Sequence, residues 1–367
     1  MGGVKLAGFA LHRYELPLSE PLTLKGKVLR HREGLLLRLD GEEGTDGWGE
    51  TSPLPGFSRE DLDGAASQLR DLASSMVGYE VRKDSLDPEG SLARRLDAMD
   101  LAPSVRFGFE LSLWNLYAAS CGRSLPELVT PHPKTAVPVS ALISGPPDEA
   151  LEEARRIRSA GYDAMKLKVG GRAVEEDVGL VRALNEEMDD AVALRLDANR
   201  AWSLEEAERF ARGAAALRFE YVEEPLADPA LLPTFARDHS IPVALDESLA
   251  VLEPRALDDH GYARAVVLKP TLLGGLSRTL RFASRASRLG MEPVISSAYE
   301  TGIGTVALIS LSAGVGGAAG PAGLDTYRRL AEDVLSPPLD LPTPRVEVRA
   351  MVETRREIDH RMLRPVG

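Results

Sequence analysis

The sequence predicts an α/β fold: a TIM-type barrel preceded by a smaller α+β unit. Two contrasting textures and the break between them point to it. Residues 1 to about 130 alternate strand-like runs with turns and then become helical. Beyond about 131, short apolar runs alternate with Ala-, Glu- and Arg-rich amphipathic stretches. Between them lies PELVTPHPKT (126–135), a proline-punctuated linker. A doubly wound open sheet is the alternative architecture for the second texture.

In the first unit, GLLLRLDG (34–41) reads as a strand and turn, and RFGFELSLWNLYAA (106–119) places apolar residues at helical spacing. Eight strands follow: AVPVSALIS (136–144), AMKLKVG (164–170), ALRLDAN (193–199), FEYVEEPL (219–226), PVALDES (242–248), AVVLKP (265–270), PVISSA (293–298) and AGLDT (322–326). The intervening helices have readable starts. Pro147, Asp148 and Glu149 open EALEEARRIRSAG, which stops near Gly161, and Ser203 with Glu206 forms a capping box. Strand–helix alternation eight times over about 200 residues is the (β/α)8 pattern. The final RVEVRAMVETRREIDH (345–360) follows the proline-rich LSPPLDLPTP and is expected to return to the N-terminal unit as a strand.

Bulk composition narrows the function. The chain has 367 residues, 44% of them hydrophobic, and a net charge of -12, so no basic footprint exists for nucleic acid or an anionic membrane surface. The single cysteine, Cys121, excludes an intrachain disulfide and a thiolate metal site, which fits a cytoplasmic protein. No apolar stretch suits a signal peptide or a membrane span. No protein partner is expected.

Charged residues interrupt the apolar runs at successive strand ends: Lys166 and Lys168, then Asp197 with Asn199, Glu223 with Glu224, Asp246 with Glu247, and Lys269. In a barrel this is the catalytic end. Any one of these acids reads equally well as a helix cap or turn residue. Asp197, Glu223 and Asp246, one βα repeat apart, instead form a carboxylate trio that needs a cation. With oxygen ligands only, that cation is Mg²⁺ before Mn²⁺. Lys166 and Lys168 share one strand face, about 7 Å apart. Their repulsion, about 2.4 kcal/mol at a dielectric of 20 or about 1.7 pK units, is expected to lower one toward the range of a general base. Arg195 has the parity of Asp197 and reads either as a partner for Asp197 or Lys168 or as a side chain filling the barrel.

These motifs resemble the enolase superfamily: KLK, RLDAN, VEEP, LDES and LKP match its strand-end signature, with a lysine facing a lysine as in the muconate lactonizing subgroup. The resemblance implies a modified barrel, (β/α)7β, over 131–339, and an α+β capping domain over 1–130 completed by 340–367. GWGETSPLPGFSRE (47–60), PSVRFGFELSLW (103–114), ISSAYETGIG (295–304) and GLDT (323–326) look like the o-succinylbenzoate synthase family within it. Dipeptide epimerases carry Asp-x-Asp on the last strand, whereas Asp325 here is followed by Thr326 and Tyr327.

The implied reaction is syn dehydration of 2-succinyl-6-hydroxy-2,4-cyclohexadiene-1-carboxylate to o-succinylbenzoate in menaquinone or phylloquinone biosynthesis. In it Lys168 acts as base and then acid, Lys269 stabilises the enediolate charge, and Lys166 tunes Lys168. Mg²⁺ sits on Asp197, Glu223 and Asp246, supported by Asn199, Glu247 and Arg195. The loop Gly56, Phe57 and Ser58 and the segment KGKVLRHR (25–32) are expected to cover the mouth, and Ser296 and Ser297 to donate to the succinyl end. Racemisation of N-succinylamino acids and a non-catalytic small-molecule binder are the alternatives.

Overall fold

The computed structural model describes residues 2–42, 44–188, 192–316, 319–341, 344–354 and 356–366. Two long strands, β1 (Val4–Leu24) and β2 (Lys27–Gly41), form an antiparallel hairpin, and β3 (Asp46–Thr51) pairs along β2. Lys25 and Gly26 both take positive φ in the turn between β1 and β2. The helix α1 (Leu62–Met76) buries Ala65, Leu69, Leu72 and Met76, an i, i+3, i+4 stripe, and its N-cap Asp61 accepts from the Gly64 amide. Next comes α2 (Pro103–Ser120), the helical pattern read from the sequence, buried along almost all its length. It lies so close to β3 that a Cβ at Gly49 would sit 2.0 Å from the Gly108 carbonyl oxygen.

Seven parallel strands follow: β4 (Ser140–Ile143), β5 (Ala164–Lys168), β6 (Ala193–Asp197), β7 (Tyr221–Glu223), β8 (Val243–Leu245), β9 (Ala263–Leu268) and β10 (Glu292–Ile295), hydrogen-bonded in chain order. Met165 and Leu167 of β5 are fully buried against the helices, so Lys166 and Lys168, of opposite parity, turn to the barrel interior. That interior is lined by a small cluster of its own, Tyr221, Ala244, Ala265 and Val267.

The expected eighth strand, 322–326, is reduced to two parallel bridges, Val139 with Ala322 and Ser296 with Gly323. They complete the ring of strands. The chain cannot run on as a strand because Asp325 opens a 3₁₀ turn at once (Asp325–Arg329), its carboxylate accepting from the Leu142 amide. Among the described residues no α-helix follows it before Val348–Glu353 in the C-terminal segment, in keeping with (β/α)7β. The fifth repeat also departs from the expected alternation, with 3₁₀ turns (Glu247–Val251 and Pro254–His260) where a helix was expected.

The C-terminal segment corrects a further expectation. Arg345–Glu347 pairs with Ala136–Pro138 at the barrel entrance, and Glu357–Ile358 with Leu335–Ser336. The strand that returns to the N-terminal sheet is the later β11 (Leu363–Pro365), antiparallel to β1. Pairing with β1 therefore falls after the stretch expected to supply it.

Sheet and barrel are joined by buried charge. Glu50 of β3 sits at the N-terminus of α3 (Gly302–Gly314), accepting from the Thr301 amide and hydroxyl, the Gly304 amide and the Tyr14 hydroxyl. Glu110 of α2 likewise accepts from the Ser277 amide and from Arg106.

Candidate active site

Parallel register brings the strand-end residues to nearly one level: Lys168 lies beside Asp197, and Asp197 beside Glu223. Glu223 is beside Ala244, so Asp246 stands two residues further out on the next strand end. Asp197, Glu223 and Asp246 are 3%, 2% and 6% exposed. Lys166 Nζ reaches Glu223 at 3.1 Å and Asp197 at 3.3 Å. Lys269, at the end of β9 across the ring from β5, pairs with Asp246. Lys168 differs: its ammonium donates to Asn199 Oδ1 at 2.6 Å and, among the described residues, makes no ion pair. Asn199 also donates to Glu247, and its amide to Asp197.

The electrostatics follow from burial and mutual repulsion. Burial, reinforced by Asp197 and Asp246 and opposed by Lys166, pushes the Glu223 carboxyl up to about 7. Asp197 is buried too, yet Lys166, Lys168 and Lys269 together hold it below the usual carboxylate range. For Lys166 burial acts downward, but Glu223, Asp197 and Asp246 outweigh it and raise the ammonium pKa well above normal. Lys269 rises likewise, burial being outweighed by Asp246. The expected mutual depression of the lysine pair is therefore not what governs Lys166; the carboxylates do. Glu247 is raised by burial and by its neighbour Asp246.

Among the described residues no three acid, histidine or cysteine side chains are gathered as a ready-made metal cage, because the lysines occupy the space between the acids. The donor set nonetheless fits a hard divalent cation. Three buried carboxylates stand at adjacent strand ends, two of them sharing one ammonium at 3.1 and 3.3 Å, an all-oxygen set of the kind such a cation takes.

Arg195 is a correction. Fully buried, it binds Glu220 at 2.6 Å, Glu292 at 2.9 Å and the Pro321 carbonyl, and its guanidinium lies over Tyr221. It fills the barrel below the acids and touches neither Asp197 nor Lys168.

A cavity of about 90 Å³ is lined by Lys166, Lys168, Lys269, Asp197 and Asn199, and by Ser296 and Phe57. Phe57, Leu24, Leu54, Ala298, Leu272 and Tyr299 form an apolar cluster above it, so the 53–58 loop and the hairpin turn do cover the mouth. Lys25 stacks on the Phe57 ring at 4.2 Å. A larger cleft, about 770 Å³, opens beside it between α2 and the strand ends bearing Asp246 and Lys269. It shares Lys269 and Phe57 with the smaller cavity but includes neither Lys166 nor Lys168.

Ser297 also lines the small cavity, but its hydroxyl donates to Glu300 at 2.6 Å and so is not the free donor expected of it. Ser58 Oγ accepts from the Leu54 amide, and Gly56 holds φ +87° in the same turn; both shape the loop, and Phe57 alone of the three reaches the small cavity. Sequence reasoning included Arg32 only as the last residue of the 25–32 segment; it is buried and donates to the carbonyls of Glu33, Ser52, Pro53, Ala298 and Tyr299. An arginine beside an acid in a strand reads as a surface ion pair; its actual partners are backbone oxygens, four of them from loops distant in sequence.

Two family models match the chain: the N-terminal domain of MenC over residues 7–116 and the enolase C-terminal domain-like model over 149–351. An o-succinylbenzoate synthase of Klebsiella pneumoniae (strain 342) is 32% identical over 344 residues, covering 93% of this chain and 97% of that protein. A muconate lactonizing enzyme from Pseudomonas fluorescens, complexed with muconolactone, shares the fold with a TM-score of 0.86 at 23% identity, covering 98% of each chain. A dipeptide epimerase from Enterococcus faecalis V583, complexed with Mg and L-Leu-L-Tyr, superposes with a TM-score of 0.83 at 21% identity over 94% of this chain and 97% of that one. No helix among the described residues is long and apolar enough to cross a membrane.

Proposed function

The chain belongs to the o-succinylbenzoate synthase family of the enolase superfamily, and from that premise we propose that it is a dehydratase converting 2-succinyl-6-hydroxy-2,4-cyclohexadiene-1-carboxylate into o-succinylbenzoate. The observation that carries this reading is the unequal partnering of the three lysines. Lys166 and Lys269 are held as ammonium ions by buried carboxylates, whereas Lys168 has only the Asn199 side-chain oxygen. Of the three, Lys168 is the one that makes no ion pair among the described residues, and the role of base is assigned to it on that geometry.

Lys168 takes the proton from C1, alpha to the substrate carboxylate. Its ammonium then delivers that proton to the C6 hydroxyl on the same face, which leaves as water as the ring becomes aromatic. Asn199 orients the amine for both transfers. Lys269, cationic on the far side of the ring of strands, stabilises the negative charge that develops on the carboxylate. Phe57 and the cluster above the cavity exclude water. Asp197, Glu223 and Asp246 would hold Mg²⁺, or Mn²⁺ in its place, as a Lewis acid for that carboxylate.

The test is direct: purified protein with Mg²⁺ and the cyclohexadiene substrate should bleach the diene absorbance. Absence of bleaching, with exchange of optical rotation in an N-succinylamino acid instead, would replace dehydration by racemisation.

A further inference from the structure

Glu224 follows the acid Glu223 and takes part in none of the steps above. It is fully buried, and its carboxylate gathers four hydrogen bonds from two neighbouring strand ends. Oε1 accepts from the Asp246 amide at 3.0 Å and the Ser248 amide at 2.7 Å; Oε2 accepts from the Ser248 hydroxyl at 3.0 Å and Arg200 Nε at 3.0 Å. Arg200 Nη2 donates to the same hydroxyl at 2.9 Å, closing a ring of three side chains. The Arg200 amide in turn donates to the Glu224 carbonyl at 2.7 Å.

One carboxylate thus joins the end of β6, which bears Asp197 and Asn199, to the end of β8, which bears Asp246 and Glu247, from a seat next to Glu223. The backbone at this junction is unusual as well. Asn199, Arg200 and Glu224 have φ of +43°, +61° and +39°, a left-handed conformation that non-glycine residues adopt only where their surroundings enforce it. Bends at these points turn the chain sharply just past the first two acids.

We propose that Glu224, acting with Arg200 and Ser248, is a positioning residue that sets the spacing of Asp197, Glu223 and Asp246 for a divalent cation. This rests on the metal-dependent reading above. Glu224→Gln is the informative change because it preserves shape. Its remaining oxygen can still accept from the two amides, but its NH₂ would face Arg200 Nε, donor against donor, and the Ser248 hydroxyl would have to turn from donor to acceptor. The tie from the β6 end through the Glu224 side chain is then lost, and of the Arg200 guanidinium's bonds only that to Ser248 remains.

The experiment titrates Mg²⁺ into wild type, Glu224→Gln and Ser248→Ala by calorimetry without substrate, alongside thermal melts in EDTA and turnover as a function of Mg²⁺. Glu224→Gln is expected to bind Mg²⁺ about 10- to 100-fold more weakly, with turnover recovering as Mg²⁺ is raised, and Ser248→Ala to weaken binding less. A folded Glu224→Gln with wild-type Mg²⁺ affinity overturns the inference and leaves the dehydratase reading standing. Should Glu224→Gln fail to fold, unchanged affinity in Ser248→Ala overturns it equally. A wild-type protein that binds no Mg²⁺ overturns both.

Discussion

Replacing Lys168 by alanine should separate chemistry from stability. Lys168 is exposed at its strand end and makes one hydrogen bond, to Asn199, and among the described residues no ion pair. Losing it should alter stability by about 0.5 kcal/mol or less, as for a surface substitution. If Lys168 removes and returns the proton as proposed, its loss should cost about 10²- to 10⁴-fold in kcat, or about 3 to 5 kcal/mol of transition-state stabilisation at 1.36 kcal/mol per tenfold. Diene bleaching gives kcat, and circular dichroism on the same preparation gives Tm. Turnover within about tenfold of wild type, in a folded variant, would refute the role assigned to Lys168.

Lys166→Met should show the opposite balance in the metal-free protein. Removing the cation between Glu223 and Asp197 leaves buried acids uncompensated, a loss of about 3 to 5 kcal/mol read from denaturant melts, and added Mg²⁺ should restore part of it. Arg195→Met should likewise destabilise by about 3 to 5 kcal/mol, by stranding Glu220 and Glu292, yet leave kcat of the folded fraction unchanged; a large fall in kcat would return Arg195 to the site. His12 packs between Trp48 and His360, beside Arg38, and its pKa is lowered by burial first and by Arg38 and His360 next. The unfolded chain therefore takes up the proton more readily, so the contribution of His12 is complete above pH 6.5 and is lost as pH falls toward the folded pKa. Tm measured between pH 7.5 and 5 should fall on acidification, and His12→Gln should flatten that slope.

The barrel and the acid–lysine set were legible because parallel strands repeat. A charge at the end of each apolar run fixes both the level and the face, so Asp197, Glu223, Lys166 and Lys168 could be placed by counting. What the sequence concealed depends on who the partners are. Parity placed Arg195 in the barrel interior correctly, but whether it met Asp197 above or Glu220 and Glu292 below is a matter of depth, which parity does not encode. The sign of the effect on Lys166 was likewise out of reach. Two amines on one strand repel whatever surrounds them, and only the tertiary structure reveals two carboxylates close enough to win. The eighth strand was overextended for a reason remote in sequence, the Asp325 side chain accepting from the Leu142 amide of a segment 183 residues away.

The residues facing the substrate were the hardest to read, and the way the two parts of the molecule meet explains why. The loop after β10 supplies Ser296, Ser297, Ala298 and Tyr299 to the cavity wall. Arg32 of β2 grips the Ala298 and Tyr299 carbonyls, while Glu50 of β3 caps the helix that begins directly afterwards. A single loop therefore takes its shape from two strands some 250 residues earlier in the chain, and Glu300 spends the Ser297 hydroxyl on holding that shape. Such a side chain can be conspicuous in sequence and still be unavailable to a ligand. The shape of this cavity wall accordingly depends on how the sheet is seated on the barrel as much as on which side chains the loop bears, and a change at Arg32 should alter the wall without lining it.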